Sequence, residues 1–264
     1  MGCCGHKNVC NTCALRMRII LEDDQCPLCK TELDEIVISN DWSLTWQVFN
    51  KKVKRNCEED PEDDTIYFHN DQARKSSLHY RSLNCMVANC PHFKQQFPNV
   101  PSLQRHMETQ HQKTFCKICL KGRTVFIREQ RLYPMKMLRK HIEFGDPGDE
   151  KHGEILPHPY CDFCEEFFFN DLAFFNHLSR EHLTCHLCGD QHKNVYYKSY
   201  ENLETHFQMT HFLCPYEICK AKCYVAFKTE DELKTHIEIE HQGGGAVSKG
   251  KVKANALLGF SQAA

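Results

Sequence analysis

The feature that most constrains this chain is the pairing of cysteine and histidine residues along its length. Its 264 residues include 18 Cys and 17 His, and most of these recur in pairs separated by one to four residues. A module of roughly 25 residues cannot bury enough apolar surface to offset its chain entropy, so it needs a covalent or metal cross-link. The pattern therefore predicts a string of small cross-linked modules.

Zinc is the cross-link that the sequence favours. No apolar leader follows Met1, and no run approaches the ~18 apolar residues of a membrane helix, so we expect a cytoplasmic chain with no membrane partner. Thiols stay reduced in that compartment, where cysteines interleaved with histidines are typical of zinc sites. The start Met-Gly-Cys-Cys resembles an acylation signal, but His6 stands where that signal needs Ser or Thr. We predict Zn²⁺ as the cofactor.

Residues 1–38 carry six ligands with the spacing of an incomplete RING finger. The pattern is Cys-x-His-x3-Cys-x2-Cys-x12-Cys-Pro-x-Cys, and in a RING cross-brace alternate ligand pairs share one zinc ion. One site is then complete, with the ligands Cys4, His6, Cys26 and Cys29. Cys10 and Cys13 need another pair, which we expect upstream of Met1. The alternative is a single four-ligand knuckle.

The loop after Cys26 also matches a RING surface. Pro27 and Lys30 are the proline and the basic residue expected where a RING holds a ubiquitin-conjugating enzyme. A RING-type ubiquitin ligase lowers the barrier to ubiquitin transfer by proximity and orientation, and it uses no nucleophile of its own. We therefore assign docking to Pro27 and Lys30, and we assign no catalytic residue.

Residues 39–80 form a predicted connector without ligand pairs. We expect strands at residues 36–38 and 65–68 that pack together, and either a strand or a short helix at residues 42–49. The acidic run at residues 57–64 is typical of a solvated loop. Cys57 has no neighbouring ligand and is predicted to be a free thiol.

Five Cys2His2-type fingers follow, and in the first of them the two histidines fall on one helix face, one turn apart. Chance does not produce this spacing five times. The predicted modules are 81–111, 112–158 (with an insertion), 159–182, 183–211 and 212–241, and we expect 242–264 to be disordered. Their ligands are Cys85, Cys90, His106 and His111; Cys116, Cys119, His141 and either His152 or His158; Cys161, Cys164, His177 and His182; Cys185, Cys188, His206 and His211; and Cys214, Cys219, His236 and His241, with Cys223 competing against Cys219.

Two apolar residues between the ligand pairs should close each hairpin onto its helix. The predicted fold class is thus a set of small zinc-stabilised α+β modules: an N-terminally truncated RING finger, then five tandem ββα fingers. The candidate core residues are Phe97 and Leu103; Phe126 and Leu138; Phe168 or Phe169 with Phe174 or Phe175; Tyr200 and Leu203; and Phe227 and Leu233.

Tandem fingers suggest nucleic-acid binding, but two observations argue against DNA. The formal net charge is -2, whereas DNA-binding domains carry a basic excess. Only two residues separate fingers 3 and 4, or fingers 4 and 5, whereas successive fingers that follow the major groove need longer linkers. We expect short linkers to lock neighbouring fingers together. We also predict a local basic patch that meets ribosomal RNA or protein, formed by Lys117, Lys121, Arg123, Arg128 and Arg131.

Several sequence runs resemble one known family. The start Cys-Gly-His at residues 4–6 and the runs at 145–149 (Gly-Asp-Pro-Gly-Asp), 158–164 (His-Pro-Tyr-Cys-Asp-Phe-Cys), 185–188 and 211–214 resemble the eukaryotic RING and zinc-finger ubiquitin ligases that mark collided ribosomes. The resemblance covers residues 4–241. It implies ligation of ubiquitin to small-subunit ribosomal proteins in ribosome quality control, with a conjugating enzyme, ubiquitin and the ribosome as partners.

The resemblance also bears on the open choices. Because the His-Pro-x-Cys run is constant in that family, it implies His158 rather than His152 as the fourth ligand of finger 2. Two alternatives remain for the whole chain: a zinc-finger nucleic-acid-binding protein, or a non-catalytic ribosome-binding scaffold, since the RING shows six of eight ligands.

Overall fold

The computed structural model describes residues 1–149, 152–189, 192 and 194–242. The chain divides into two compact units, Met1–Phe175 and Asn176–Ala264. Residues 243–264, nearly all of the tail predicted to be disordered, lie outside the described residues.

The first unit begins with a short helix followed by a loop that carries cysteines. Helix α1 (Asn11–Leu15) continues into a π-helical turn (Arg16–Ile20). Arg18 fixes this turn to the rest of the module, because its buried guanidinium donates hydrogen bonds to the Leu33 carbonyl and, at 2.7 Å, to Thr65 Oγ1.

A three-stranded sheet follows, with β1 (Ile36–Ile38), β2 (Glu58–Glu59) and β3 (Ile66–Phe68) in the order β1-β3-β2. The two predicted strands are present and pair in parallel, while β2 is antiparallel to β3. Alternate side chains point to opposite faces. One face packs against Leu15 and Cys26, and the other packs against Leu44 and Phe49.

The segment at residues 42–49 is helical at its end. Thr45 caps α2 (Trp46–Val48) by accepting the Val48 N–H, and the chain continues through π-helical (Phe49–Val53) and 3-10 (Lys54–Asn56) turns. Residue 49 supplies the apolar anchor, since Phe49 is fully buried. Capping and burial therefore decide between the two structures that the sequence allowed.

The prediction that residues 57–64 form a solvated loop is wrong in part. Residues Glu58–Glu59 form strand β2, and Asp60 is only 5% exposed. The Asp60 carboxylate forms a salt bridge with Arg81 at the end of α3 (Asp71–Arg81). A carboxylate is rarely buried without a partner, and the charge of Asp60 is neutralised by Arg81, 21 residues further along the chain.

The helix of finger 1 is α4 (Val100–His111). Asn99 is its N-cap, and the Asn99 side chain accepts a hydrogen bond from the Ser102 N–H. The predicted core residues Phe97 and Leu103 pack in one cluster with Met107. The end of α4 turns through Gln112 in a left-handed conformation (φ 52°). This turn leads directly into the first strand of finger 2.

Finger 2 departs from the ββα order. Its strands β4 (Lys113–Phe115) and β5 (Leu132–Pro134) pair antiparallel and enclose an insertion. Its remaining elements are α5 (Lys117–Gly122), 3-10 turns at Ile127–Glu129 and Met135–Met137, and α6 (Leu138–Phe144).

The predicted finger 2 core is wrong in one residue. Leu138 packs near the ligands Cys116 and Cys119, but Phe126 is buried in the cluster of Leu15 and the β1–β3 strands. Tyr133 and Ile155 occupy the finger's own core instead. The ring of Phe126 therefore joins finger 2 to the N-terminal module.

Finger 3 begins with a hairpin of β6 (Tyr160–Cys161) and β7 (Glu166–Phe167). Its helix α7 (Asp171–Glu181) starts in the first unit and ends in the second. Phe168 contacts Phe174, with ring centroids 5.7 Å apart. Phe169 instead packs against the finger 2 core. Of the two candidates for the finger 3 core, Phe168 therefore contacts its own helix and Phe169 belongs to the neighbouring finger.

In the second unit, both two-residue linkers form strands. Residues Leu183–Thr184 are β8, paired with β9 (Tyr196–Tyr197) before helix α8 (Tyr200–Thr210), and residues Phe212–Leu213 are β10, paired with β11 (Ala226–Phe227). Helices α9 (Glu217–Lys222) and α10 (Glu230–Glu240) complete finger 5.

Fingers 4 and 5 share one core in this unit. Leu203 and Phe207 of α8 are fully buried and pack against Ala226 of finger 5. The Tyr200 hydroxyl accepts the Tyr224 N–H at 3.1 Å, and the two rings meet edge to face. The expectation that short linkers lock neighbouring fingers holds for this pair.

The buried ion pair of the connector gives a stability test. Asp60→Ala leaves the guanidinium of Arg81, 10% exposed, without its buried partner, and should cost about 3–5 kcal/mol. The control Glu62→Ala removes a 71% exposed partner of the same arginine and should cost under about 1 kcal/mol. Both tryptophans, Trp42 and Trp46, lie in this connector, so their fluorescence during urea unfolding measures the effect. Equal midpoints for the two variants would show that burial of Asp60 is not important.

Candidate metal centres

The N-terminal module brings together the four ligands predicted for its complete site. Donor atoms of Cys4, His6, Cys26 and Cys29 all lie within 4.8 Å of one another. Cys26 is buried, and its Sγ lies 3.6 Å from His6 Nδ1. The Thr31 hydroxyl, 3.1 Å from Cys29 Sγ, lowers the pKa of that thiol to about 6. A thiol of low pKa is readily available as the thiolate that binds zinc.

The second pair, Cys10 and Cys13, lies at the start of α1. Both residues are exposed, and the Cys13 N–H donates to Cys10 Sγ at 3.3 Å, so the sulfur also caps the helix. Partial burial raises the pKa of Cys10, but the contacts with Cys13 and the Thr12 backbone and the charge of Arg16 together outweigh it, so that the pKa is lowered. The pair is held in the geometry of a half-site.

In finger 1, the helix presents both imidazoles to the cysteines. Cys85 Sγ lies 3.3 Å from His111 Nε2, and Cys90 Sγ lies 3.5 Å from His106 Nε2. Burial lowers the pKa of His106, which favours the neutral ring that metal ligation requires.

The four ligand residues that finger 2 brings together are all buried, and the geometry separates the two candidates for its fourth ligand. His158 Nε2 lies 3.6 Å from Cys116 Sγ, 3.4 Å from Cys119 Sγ and 3.3 Å from His141 Nε2. His152 lies elsewhere, where its Nδ1 is 3.1 Å from an Asp149 carboxylate oxygen. Of the two candidates, the structure places His158 with the other three ligands.

The turn at Gly145 makes this long-range ligation possible. Gly145 has a φ of 69°, and a Cβ there would collide with the Ile155 carbonyl. After the turn, Asp146 and Ile155 exchange backbone hydrogen bonds of 2.7 and 3.0 Å. The resulting hairpin returns the chain to helix α6, where the His158 N–H donates to the Ile142 carbonyl at 2.9 Å.

Asp146 holds the imidazole of His141 from the side opposite the cysteines. Its Oδ2 lies 2.6 Å from His141 Nδ1 and accepts the Tyr133 hydroxyl at 2.7 Å. His158 Nδ1 is similarly satisfied by the Phe169 carbonyl at 3.1 Å. Such outer contacts fix the ring orientation and leave Nε2 for the metal. This role of Asp146 was not predicted from the sequence, although the residue lies within the Gly-Asp-Pro-Gly-Asp run.

The four ligands predicted for finger 3 lie on both sides of the division between units. Cys161 is buried and Cys164 exposed in the first unit, while His177 Nε2 and His182 Nε2 lie 3.3 Å apart in the second. Their assembly into one site stays a prediction.

Fingers 4 and 5 repeat the same arrangement. In finger 4, Cys188 Sγ lies 3.1 Å from His206 Nε2 and 3.2 Å from His211 Nε2, and Cys185 Sγ lies 3.3 Å from the latter atom.

In finger 5, Cys219 Sγ lies 3.4 Å from His236 Nε2 and 3.2 Å from His241 Nε2, which is also 3.2 Å from Cys214 Sγ. Between Cys219 and Cys223, the structure thus brings Cys219 to the histidines. The Tyr216 ring stacks on His241 at 3.9 Å and holds it in place.

These donor sets fit zinc. Tetrahedral zinc with bonds of about 2.3 Å to sulfur and 2.0–2.1 Å to nitrogen separates its donors by roughly 3.5 Å. The sulfur–nitrogen distances of 3.1–3.6 Å match that size. Where four protein ligands close the coordination shell, zinc has a structural role. The clusters therefore define a protein built of structural zinc modules.

Comparisons with known proteins agree that this is a zinc-module protein, and they identify a group of proteins that it resembles. The profile of the C2H2-type zinc finger family matches residues 181–237. The chain is similar to the E3 ubiquitin-protein ligase hel2 of Schizosaccharomyces pombe, with 32% identity over 90% of this chain and 32% of that protein. It is also 32% identical to mouse E3 ubiquitin-protein ligase ZNF598, over 99% of this chain and 28% of that protein.

A third relative is E3 ubiquitin-protein ligase HEL2 of Saccharomyces cerevisiae, 28% identical over 95% of this chain and 37% of that protein. The resemblance to a ubiquitin ligase family, drawn from the sequence runs, is therefore confirmed. The chain spans about a third of the length of the curated relatives it matches. None of the helices within the described residues is long and apolar enough to span a membrane.

Metal analysis tests the ligand assignments. We expect about six zinc ions per chain, one in the N-terminal module and one in each finger, and chelation should unfold the modules. His158→Ala should lower the zinc content by about one ion, because three ligands no longer close the site. The matched control His152→Ala should leave it unchanged. Loss of an ion from the control variant alone would exclude His158 as the ligand.

Proposed function

We propose that this chain is the zinc-module part of a RING-type E3 ubiquitin ligase that acts in the cytoplasm on small-subunit proteins of stalled or collided ribosomes. The observation that carries the proposal is its similarity, over 90% or more of its length, to proteins named E3 ubiquitin-protein ligases. The ribosomal substrate rests on the family that the sequence runs resemble.

The loop between Cys26 and Thr31 supplies the docking surface. Two backbone hydrogen bonds of 2.8 Å, from Lys30 N–H to the Cys26 carbonyl and from Cys26 N–H to the Thr31 carbonyl, hold it in a tight knuckle. Pro27, Leu28 and Lys30 are all exposed. The knuckle thus presents an apolar contact beside one positive charge. In this proposal Pro27 contacts the conjugating enzyme and Lys30 bridges it to ubiquitin.

The chemistry belongs to the conjugating enzyme. A substrate lysine amine attacks the carbonyl of the ubiquitin thioester, a new isopeptide bond forms, the carbon–sulfur bond breaks and the enzyme's thiolate leaves. Each four-ligand cluster found among the described residues can close a zinc coordination shell without an open position. Its own residues bind and orient the two reactants.

The basic patch predicted on finger 2 is only partly exposed. Arg131 pairs with Asp149 at 3.2 Å and lies 3.8 Å from Asp146. Arg128 is partly buried and donates to Ser82 Oγ at 3.0 Å. These two arginines are occupied within the chain, whereas Lys117 and Lys121 are exposed. Contact with ribosomal RNA or protein in this proposal therefore rests on the two lysines.

Two observations support the ribosomal proposal over DNA binding. The linker residues before fingers 4 and 5 are used as strands β8 and β10, so these fingers have no free linker with which to follow a groove. The first turn of α10 carries Glu230, Asp231 and Glu232, and acidic side chains there would repel the phosphates.

A non-catalytic ribosome-binding scaffold is the second candidate. The observation that favours it is that the exposed pair Cys10 and Cys13 lies outside the four-ligand cluster of Cys4, His6, Cys26 and Cys29. A ubiquitin-discharge assay separates the two candidates.

Lys30→Ala tests the docking surface. The chain as given should be weakly active or inactive, because the ligand pair that Cys10 and Cys13 need is expected upstream of Met1. Extended by that pair and given a conjugating enzyme charged with ubiquitin, the protein should accelerate discharge to free lysine, and its Lys30→Ala variant should be roughly tenfold slower, a loss of about 1.4 kcal/mol of transition-state stabilisation. Lys52→Ala removes another exposed lysine, in the connector, and should have no effect. Equal rates for all three proteins would exclude Lys30 from docking. No acceleration by any of them would favour the scaffold.

Sedimentation with purified ribosomes tests the substrate. Binding should survive an excess of duplex DNA, and the double variant Lys117→Glu with Lys121→Glu should weaken it and reduce the salt slope by roughly two. The control, Lys51→Glu with Lys52→Glu, makes the same charge change in the connector and should bind normally. Displacement by DNA with a steep salt slope would return the chain to the nucleic-acid-binding class.

A further inference from the structure

A turn of four consecutive residues in the finger 2 insertion contacts three other parts of the first unit. Phe126 is 4% exposed and belongs to the apolar cluster that also holds Leu15 and Cys26. Its ring centroid lies 6.1 Å from that of Tyr80 in helix α3. The next residue, Ile127, packs against the core of finger 1. Neighbouring side chains thus enter two different cores.

The last two residues of the turn add polar contacts. Arg128 donates to Ser82 beyond the end of α3. Glu129 Oε1 pairs with the Arg16 guanidinium at 2.5 Å, and its Oε2 accepts the Phe126 N–H at 2.9 Å. Both charged side chains are about three-quarters buried, at 26% and 25% exposure. Water screens such a pair less than it screens a surface pair.

Finger 2 does not need this turn for its own zinc site. Its ligands are enclosed by Tyr133 and Ile155, and the cluster that contains them does not include Phe126. Within finger 2, zinc ligation and contact with the N-terminal module therefore depend on different residues. Loss of the Phe126 ring would detach the turn from the N-terminal module and leave the four ligands in place.

We propose that Phe126 and Glu129 are positioning residues for ubiquitin transfer. They fix the helix that follows Cys10, and with it the module that carries the docking loop, relative to fingers 1 and 2. This inference rests on the proposed function. A substrate held by the fingers reacts at a rate set by its distance and orientation from the thioester, and small misplacements far from the chemistry are costly.

The inference predicts a split between two reactions. Discharge of ubiquitin to free lysine needs only the docking loop, because free lysine reaches the thioester by diffusion. Modification of a ribosomal protein needs both the loop and the fingers in a fixed relation. A variant that merely unfolds the N-terminal module would lose both reactions together.

The experiment uses the full chain extended upstream of Met1 by the expected cysteine pair, with Phe126→Ala and Glu129→Gln as test variants. Phe144→Ala and Glu143→Gln are matched controls on α6 of the same finger, where Phe144 is 70% exposed and Glu143 pairs with an 88% exposed arginine. Each protein is assayed for zinc content, for discharge to free lysine, and for ubiquitination of small-subunit proteins on purified collided ribosomes. A charge-reversed pair, Arg16→Glu with Glu129→Arg, is compared with each single change.

The test variants should lose roughly tenfold to hundredfold in ribosomal ubiquitination, with zinc content and free-lysine discharge unchanged. The charge-reversed pair should recover activity that either single change loses. If both reactions fall together, or ribosomal ubiquitination stays at the control level, the inference is overturned. If the extended protein without a test substitution performs neither reaction, the proposed function fails and the inference fails with it.

Discussion

Zinc coordination by paired sulfur and imidazole is the interaction on which the rest of the structure depends. The hairpins of fingers 3, 4 and 5 are two residues per strand, and isolated hairpins are at best marginally stable in water. Structural zinc contributes about 10–16 kcal/mol per site in such modules, which replaces the large core that a chain of this length would otherwise need. Each pair of helix residues that holds the metal also fixes the helix against its hairpin.

The modules are nevertheless not independent beads. Phe126 leaves its own finger for the N-terminal core, Phe169 of finger 3 packs on finger 2, and Ala226 of finger 5 packs on finger 4. In each case an apolar side chain crosses a boundary that the ligand spacing defines. Zinc thus fixes the shape of each module, while these shared clusters fix neighbours within each unit. The proposed ligase activity depends on these shared apolar clusters, because a RING-type ligase contributes to catalysis by orienting the two reactants.

The sequence predicted what depends on local spacing. It located the ligand pairs, strands β1 and β3, and the apolar pair Phe97 and Leu103, because periodicity and gap lengths fix which residues share a face. It missed features that need a distant partner. Asp60 was predicted to be solvated, but the fold buries it beside Arg81. Arg131 was predicted to be part of an exposed basic patch, but the fold pairs it with Asp149. Composition shows charge, but only the fold shows which charges are already paired.

The strands formed by the linkers have a consequence for how this region can change over time. Because the residues between His211 and Cys214 are strand β10, paired with β11, one inserted residue would move every following side chain to the opposite face of the hairpin. Leu213 would then leave the core it shares with Phe207, and Cys214 would point away from its ligand partners. Insertions and deletions should therefore be removed by selection at these junctions more strictly than amino-acid substitutions are, so the spacing of the fingers is inherited more faithfully than their surfaces.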